Sequence, residues 1–419
     1  MTSTGRTGTM EQTLTQVRSR ASAVLALLAS LLVIMGLVAP SALAENMRER
    51  QWYLDAMQAE RMWKVSSGKG VTVAMLDSGV DASVPELRGK VLPGKNFVEP
   101  GADARTDPKG HGTAISLLIA GNGAGGQGVK GLAPDARILP LTVTGSTKES
   151  GNTTVPSLTK AIRYAADSDA QIINMSLAFQ DYSLEKGERE QLQKAVDYAI
   201  GRGKLLLAGS GNDGNTSNDV TYPAASDGVA GVSAIDKSLA ATKFSNHGSF
   251  VALAAPGEDI PTSCIGKSGY CKTWGTSQAT AITSGAAALI WAKHPKWTGN
   301  QVLRVMMETA GKPADGKIPS RYLGYGTIRP RYNVLENKGD PGPADVNPLV
   351  AAKKPDSPSP SKDAPSTAPK GGAEAGTAAE GTEDGGGSAM PWILGAGVAV
   401  VVVGGGAFVF LRRRSAQRF

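Results

Sequence analysis

Four short stretches of the sequence carry side chains that could act together in nucleophilic catalysis. They are "LDSGVD" with Asp77, "KGHGT" with His111, "GSGND" with Asn212 and "WGTSQA" with Ser277. A serine hydroxyl is a weak nucleophile at its ordinary pKa, so it needs a base beside it. Histidine is the side chain whose pKa suits a base at neutral pH, and the chain has only three histidines. His111 is therefore one of few candidates.

Each of these residues has a role in a hydrolytic mechanism. His111 could take the proton from Ser277, and Asp77 could fix the tautomer of His111. The amide of Asn212 could donate to an oxyanion, which contributes about 3 kcal/mol to transition-state stabilisation. Taken singly, the same motifs could also be a turn acid, a surface histidine, a turn asparagine and a helix-capping serine. A dyad of aspartic-protease type fails, because the chain contains no second D-S/T-G sequence.

The elements that must position these residues are predicted by alternating patterns. Apolar runs predict strands at 71–77, 136–143, 170–176, 204–209 and 228–234. Their continuous apolarity is typical of strands that are covered on both faces. Helical spacing appears at 155–168 and 185–203. The alternation predicts an α/β fold, a doubly wound and mainly parallel sheet with helices on both faces. In such sheets functional residues gather at the carboxyl ends of strands, where these motifs fall.

The order Asp, His, Asn, Ser resembles the subtilisin-like (S8) serine proteases over roughly residues 65–315, with His111 34 positions after Asp77. The resemblance implies a catalytic triad of Asp77, His111 and Ser277, with Asn212 in the oxyanion hole. It also implies that an extended polypeptide pairs with "SLA" as an added strand and packs beside "GSG". The substrate-binding residues implied in this way are Ser176, Leu177, Ala178, Gly209, Ser210 and Gly211.

The sequence departs from the family pattern at Ala281, where G-T-S-x-A-x-P usually ends in proline. In the first turn of a helix, proline would fix φ, and its missing N–H would not be needed for hydrogen bonding. Its replacement by Ala281 removes no reacting group. In an exported protein, Cys264 and Cys271 predict a disulfide across a short loop, and a pair of unbridged thiols is the alternative. We expect no cofactor and no metal site, and no cluster of acidic residues encodes calcium binding, although subtilases often bind calcium through loops that a sequence does not reveal.

Both ends of the chain predict export and anchoring. The apolar run after Arg20, followed by "SALAEN", predicts a secretory signal peptide over residues 1–44, and an uncleaved anchor is the alternative. Residues 391–411 carry no charge over 21 positions, which is enough for a transmembrane helix. The basic tail at 412–419 then places the carboxyl terminus in the cytoplasm. We expect a single-pass protein of the cell membrane whose main domain is extracytoplasmic.

Between these ends the sequence divides into three further parts. They are an N-terminal arm at 45–70, a subtilisin-like peptidase domain at 71–336 and a linker rich in Pro, Ala, Gly and Ser at 337–390. The formal net charge of +7 is concentrated at the ends, with +2 in residues 1–44 and +4 in residues 411–419. The remainder is close to neutral, so nucleic acid is not expected as a partner.

The arm "RERQWYLDAMQAERMWKVSSGKG", followed by a protease domain, a Pro-rich linker and one carboxyl-terminal transmembrane helix, is similar to the mycosins. These are membrane-anchored subtilases associated with type VII secretion in actinobacteria. The similarity implies a membrane secretion complex as partner and polypeptide in extended form as substrate. The hypothesis is a membrane-anchored serine endopeptidase that forms an acyl-enzyme. The alternative is a mainly structural subunit that stabilises the secretion complex with weak or no proteolysis.

Overall fold

The computed structural model describes residues 47–145, 153–265 and 269–353. The predicted signal peptide, the predicted transmembrane segment at 391–411 and the basic tail lie outside these residues. Within the described ranges, no helix combines the length and the apolarity needed to cross a membrane.

A seven-stranded sheet forms the centre of the described residues, and all of its strands are parallel. The strand order is β2-β3-β1-β4-β6-β8-β9. Two further pairs, β5 with β7 and β10 with β11, are antiparallel. The strands are β1 Thr72–Asp77, β2 Lys95–Asn96, β3 Arg137–Thr142, β4 Ile172–Met175, β5 Phe179–Gln180, β6 Leu205–Gly209, β7 Thr221–Tyr222, β8 Ala230–Ile235, β9 Val251–Pro256, β10 Ile260–Ser263 and β11 Tyr270–Thr273.

Helices cover both faces of this sheet. Along β1 the side chains of Val73 and Met75 enter one apolar core, whereas Ala74 and Leu76 enter the other. Because successive side chains of a strand point to opposite faces, these two cores lie on opposite sides of the sheet. The first core is covered by α4 His111–Ala120, α7 Thr276–Lys293 and α8 Gly299–Thr309, and the second by α5 Val155–Asp167 and α6 Lys186–Gly201. The predicted parallel α/β fold is confirmed.

The five predicted strands and two predicted helices are present with boundaries shifted by one or two residues. Strand β9, at the edge of the sheet, was missed by the sequence analysis. Its sequence "VALAAP" is half alanine, so it lacks the β-branched and aromatic enrichment that distinguishes a strand from other buried segments. Pairing with β8 decides its conformation.

The N-terminal arm packs as three short helices, α1 Met47–Arg50, α2 Trp52–Ala56 and α3 Ala59–Trp63. Tyr53, Leu54 and Met62 have no exposed surface and belong to the first core. The amide of Gln51 binds both backbone groups of Lys130: Nε2 donates to the carbonyl at 2.8 Å, and Oε1 accepts the N–H at 2.9 Å. The arm is therefore an integral part of the folded domain.

The structure differs from the expected linker boundary at residue 337. After α9 Pro330–Glu336, the chain continues along the surface of the domain into α10 Pro348–Ala352. Thr298 Oγ1 donates to the carbonyl of Ala344 at 2.7 Å, and Arg304 Nη2 donates to that of Val346 at 2.7 Å. Few apolar residues are needed for this attachment, because backbone carbonyls provide the acceptors, and composition alone therefore gave no sign of it.

We predict that Asn347→Ala lowers the free energy of unfolding by about 1–2 kcal/mol. The buried Asn347 side chain accepts the N–H of Leu349 at the start of α10 and donates to the carbonyl of Gly228 at 3.2 Å. Urea unfolding of the variant would measure the loss, with exposed Asp345→Ala as the control. Equal stability of the two variants would contradict a structural role for this extension.

Candidate active site

Three neighbouring strands end at the same edge of the sheet and define the floor of the site. In β1 and β4, Met75 pairs with Asn174, so Asp77 lies level with Ser176. In β4 and β6, Met175 pairs with Ala208, so Ser176 lies level with Gly209. The predicted triad acid and both predicted substrate-binding stretches therefore lie on one line across the carboxyl edge of a rigid sheet.

His111 reaches Asp77 because two glycines let α4 approach the loop after β1. A Cβ atom at Gly112 would lie 2.1 Å from the backbone oxygen of Gly79, and one at Gly79 would lie 2.0 Å from that of Thr106. A side chain at Gly112 would push α4 away from the loop after β1, and one at Gly79 would push that loop away from the segment that precedes α4. The "GHGT" and "DSG" motifs thus carry a steric requirement as well as the reactive side chains.

Asp77 and His111 form a hydrogen-bonded pair. Nδ1 of His111 lies 2.7 Å from Oδ1 and 2.8 Å from Oδ2 of Asp77. The Asp77 carboxylate also accepts the backbone N–H of Ser78 at 2.7 Å, and the residue is only 4% exposed. Because a carboxylate at neutral pH only accepts, Nδ1 must carry the proton. Nε2 is then the nitrogen without a proton, and its role as a base stays a prediction.

The electrostatic environment favours the protonated form of His111. Burial of the imidazole acts to lower its pKa, but the charge of Asp77, the hydrogen bond that His111 donates to Asp77 and the charge of Asp107 outweigh that effect. The pKa of His111 is therefore raised above its usual value of about 6.5. A base with a raised pKa accepts a proton from serine more readily, but it is neutral only at higher pH.

Ser277 lies at the amino terminus of α7. Gly275 precedes the helix with φ of +141°, a conformation that is costly for residues with a Cβ. Thr276 and Ser277 are the first two residues of the helix, so Ser277 is not its cap. Its backbone N–H belongs to the first turn, which has no acceptor within the helix, and it is thus available to a developing negative charge.

Ala281 is the sixth residue of α7 rather than a member of its first turn, which differs from the sequence-based expectation. Its N–H is therefore one that a regular α-helix uses to bind the carbonyl of Ser277. Ala281 is fully buried. The alanine leaves the helix that carries the nucleophile regular at this point, where a proline would remove a donor.

The Ser277 hydroxyl donates to the backbone oxygen of Ser176 at 3.2 Å. Ser176 Oγ, with one proton to donate, lies 3.2 Å from the backbone oxygen of Ser277 and 3.0 Å from Asn174 Oδ1. These bonds attach the start of α7 to the end of β4. Between the described side chains of Ser277 and His111 no hydrogen bond is found, so the hydroxyl must rotate towards Nε2 before it can be deprotonated.

Asn212 joins the loop after β6 to the start of α7. Its Oδ1 accepts the backbone N–H of Thr276 at 2.9 Å and lies 3.2 Å from Thr276 Oγ1. Because a backbone N–H can only donate, the amide oxygen must be the atom that faces Thr276. This contact caps α7 from outside and leaves Nδ2 to donate to another group. The orientation suits the predicted role of Asn212 as an oxyanion donor.

Ser176, Leu177 and Ala178 leave the end of β4 as an extended segment. Leu177 is half-buried and Ala178 is exposed. Within the described parts of the chain, the backbone groups of Leu177 and Ala178 form no hydrogen bond to other backbone groups. They are therefore available to an added strand, and binding of a substrate at this segment stays a prediction.

Gly209, Ser210 and Gly211 lie deeper, and their backbone groups are bound within the domain. The N–H of Ser210 donates to Val232, and the N–H of Gly211 donates to Thr276 Oγ1 at 3.2 Å. A Cβ at Gly209 would lie 2.9 Å from Thr276 Oγ1. This stretch can contribute a wall of small residues to a substrate pocket, but it offers no free backbone for pairing.

Cys264 and Cys271 form a disulfide that closes the β10–β11 hairpin, with Cα atoms 4.9 Å apart. Strand β11 leads directly to Gly275 and the nucleophile.

No group of three or more His, Cys, Asp or Glu side chains suited to a metal ion occurs in the portion of the chain that the structure covers.

Two polar residues of the site were missed by the sequence analysis, Ser78 and Asp107. Ser78 Oγ lies 2.7 Å from Asp107 Oδ1 and 3.2 Å from Asp77 Oδ1. Ser78 lies inside "LDSGVD", directly after Asp77, and Asp107 lies four positions before His111, just outside "KGHGT". Their side chains are common in turns, so position alone did not distinguish them.

One edge of the parallel sheet carries an Asp–His pair, a serine at a helix start and an amide donor. This combination defines a serine hydrolase of the subtilisin type. The family model described as the subtilase family matches residues 68–326. The chain belongs to the subtilase family of serine proteases.

Individual relatives are consistent with this assignment. The chain is 33% identical over 274 residues to the thermophilic serine proteinase of Bacillus sp. (strain AK1), a match that covers 65% of this chain and 64% of that protein. Among solved structures it is similar to MycP1 from Mycobacterium smegmatis, with a TM-score of 0.61, 27% identity and coverage of 73% of this chain and 89% of that one. It is also similar to the MycP3 protease from the type VII (ESX-3) secretion system, with a TM-score of 0.56, 27% identity and coverage of 68% and 87%.

We predict that Asn212→Ala lowers kcat for peptide hydrolysis by about 10²–10³-fold with little change in KM, because an oxyanion donor acts mainly in the transition state. Steady-state kinetics would measure the effect. Asn215→Ala, at an exposed position in the same loop, is the control and should retain activity. A fall in kcat of less than about fivefold for Asn212→Ala would remove this residue from the oxyanion hole.

We also predict that kcat/KM rises with pH and that the midpoint of this rise lies above about 6.5. Catalysis needs neutral His111, and Asp77 and Asp107 stabilise the protonated form, so neutral imidazole is reached only at higher pH. Rates measured between about pH 5 and 9 would locate the midpoint. A midpoint at or below about 6.5 would contradict the stabilisation of protonated His111 by Asp77 and Asp107.

Proposed function

We propose that this protein is a membrane-anchored, extracytoplasmic serine endopeptidase that hydrolyses extended polypeptides through an acyl-enzyme. The observation that carries the proposal is the Asp77–His111 hydrogen bond at the sheet edge where Ser277 also lies. An orienting acid, a base with its second nitrogen free and a hydroxyl at a helix start are the groups that acyl transfer requires.

In the proposed acylation step, Ser277 Oγ attacks the carbonyl carbon of the scissile peptide bond while His111 Nε2 takes its proton. Asp77 stabilises the imidazolium that forms. The negative charge on the carbonyl oxygen is bound by the Ser277 N–H and by Asn212 Nδ2. As the carbon–nitrogen bond breaks, His111 returns the proton to the leaving amine.

In the proposed deacylation step, a water molecule replaces the departed amine. His111 Nε2 takes a proton from this water as it attacks the acyl carbon, and the same two donors bind the oxyanion. Collapse of the intermediate releases the carboxylic acid, and His111 gives the proton back to Ser277 Oγ. The residues then return to the hydrogen bonding of the free site.

The substrate is proposed to bind as a strand beside Leu177 and Ala178. Their available backbone groups support this mode, since backbone pairing selects extended chain without regard to most side chains. A folded protein would present its backbone groups already paired, so unfolded segments or linkers between domains are the proposed targets.

We further propose that the protein acts with a membrane secretion complex. Two kinds of observation support this. The MycP1 and MycP3 structures to which the chain is similar belong, by their descriptions, to type VII secretion systems. The predicted transmembrane helix at 391–411 would keep the domain at the outer face of the membrane. A mainly structural role in that complex is the competing function, and it requires no reaction at Ser277.

We predict that a fluorophosphonate probe labels the full-length protein at Ser277. Labelling should be lost in Ser277→Ala and retained in Ser238→Ala, which removes an exposed hydroxyl elsewhere. Because the probe reacts with serines that a base has activated, heat-unfolded protein is a further negative control. Equal labelling of folded Ser277→Ala and the unsubstituted protein would exclude Ser277 as the nucleophile.

The same variant separates the enzymatic from the structural role in cells. If proteolysis is the function, Ser277→Ala and deletion of the whole chain should impair processing of the secreted substrates equally. If Ser277→Ala supports full secretion while the deletion abolishes it, the structural function is primary. Unchanged secretion after deletion would contradict the proposed link to a secretion complex.

A further inference from the structure

Asp107 is a carboxylate with four hydrogen-bond donors and no catalytic role in the proposed mechanism. Its Oδ1 accepts from Ser78 Oγ at 2.7 Å and from the N–H of Gly110 at 2.8 Å. Its Oδ2 accepts from the N–H of Thr113 at 2.8 Å and from Thr113 Oγ1 at 2.7 Å. Among the residues covered by the structure, no Lys or Arg side chain forms an ion pair with it. Its negative charge is therefore stabilised by neutral donors alone.

These bonds join the two segments that carry the Asp–His pair. Gly110 and Thr113 belong to the first turn around His111, and Ser78 follows Asp77 directly. Thr113 Oγ1 also accepts the N–H of Asp81 at 2.9 Å. Asp107 therefore fixes the start of α4 against the loop after β1, independently of the bond between His111 and Asp77.

The Ser78 hydroxyl lies between the two carboxylates and has one proton to donate. Its oxygen is 2.7 Å from Asp107 Oδ1 and 3.2 Å from Asp77 Oδ1. The shorter distance assigns the proton to Asp107. The hydroxyl oxygen also accepts the N–H of Gly112 at 3.1 Å, which fixes its position.

We propose that Asp107 is a positioning residue for His111 that acts by drawing the Ser78 hydroxyl proton away from Asp77. A carboxylate that accepts an additional hydroxyl proton is better solvated, and it therefore attracts an imidazolium less strongly. With the hydroxyl held by Asp107, the side chain that donates to Asp77 Oδ1 is His111. The network thus keeps the Asp77 carboxylate available to accept the hydrogen bond of His111. The inference rests on the proposed function for its catalytic meaning, although the charge distribution itself can be tested without catalysis.

The test measures the protonation of His111 directly. Full-length protein is labelled with ¹³C at histidine, and the Cε1–H signal of His111 is followed by NMR as pH is varied. The other two histidines are assigned through His247→Gln and His294→Gln. Asp77 and Asp107 are the charged groups that act on the imidazole. In Asp107→Asn we expect the titration midpoint of His111 to fall by at least about 0.3 pH unit. The Ser78 hydroxyl would then donate its hydrogen bond to Asp77, and the negative charge of Asp107 would be lost.

A double substitution separates the hydroxyl effect from the loss of charge. In Ser78→Ala no hydroxyl can turn to Asp77, so the midpoint of His111 should not fall. In Ser78→Ala/Asp107→Asn the midpoint of His111 should fall less than in Asp107→Asn alone. Only the charge of Asp107 is lost there, because no Ser78 hydroxyl is present to donate to Asp77. A residue with a merely structural role would give the opposite order, since two losses of packing and hydrogen bonding would add. Asp81→Asn, whose carboxylate binds Ser83 rather than Ser78, is the matched control and should leave the midpoint unchanged.

Three results would overturn the proposal. They are an unchanged midpoint in folded Asp107→Asn, a double variant shifted as far as or further than Asp107→Asn, and a fall of at least about 0.3 pH unit in Ser78→Ala. The last result remains informative if Asp107→Asn does not fold. The acid limb of kcat/KM should move with the NMR midpoint. If the NMR shifts occur as expected in a protein without peptidase activity, the network stands and the proposed function fails.

Discussion

The short hydrogen bond between Asp77 and His111 requires a helix and a strand loop to approach more closely than side chains would permit. Gly79 and Gly112 make this approach possible, since a Cβ at either residue would overlap a backbone oxygen. The orientation of His111 Nε2 depends on this contact, and the position of the Ser277 hydroxyl matters only if Nε2 faces it. The steric freedom of two glycines is thus the constraint on which the other distances in the site depend.

The remaining groups are held by elements that cannot move independently. Ser277 lies in the first turn of a helix that is buried along most of its length, and this turn is bonded to Ser176, directly after β4. Asn212 binds the same turn through Thr276, so the side chain that offers a donor to the oxyanion also caps the nucleophile helix. A displacement of either residue would therefore displace both. This coupling places the reactive groups on rigid elements, which is what preorganised electrostatic stabilisation requires.

The segments on either side of the predicted domain contribute to its stability. The arm at 47–63 adds fully buried side chains to one core, and the stretch at 337–353 binds the surface through backbone carbonyls. By contrast, the backbone groups of residues 177–178, at the active-site edge, form no hydrogen bond to other backbone groups among the residues that the structure describes. The contrast between satisfied and available backbone is what makes this edge suitable for an added strand.

The sequence by itself determined the fold class and the identities of the candidate reactive residues, because apolar periodicity and short motifs are local properties of the chain. It predicted Asp77, His111, Asn212 and Ser277 from residue type, order and position at strand or helix ends. Only the tertiary structure decided how these residues are connected. Three contacts show this: Asn212 with Thr276, Ser277 with Ser176, and Ser78 with Asp107. They join residues that are 29 to 101 positions apart in the sequence. The third contact also decides which of two carboxylates, Asp77 or Asp107, receives the proton of the Ser78 hydroxyl. The strand β9 and the extension at 337–353 were likewise decided by their partners, since their own residues favour no single conformation. Hydrogen bonds between distant segments depend on distances that local patterns do not encode, and these bonds turn a set of suitable residues into an arranged site.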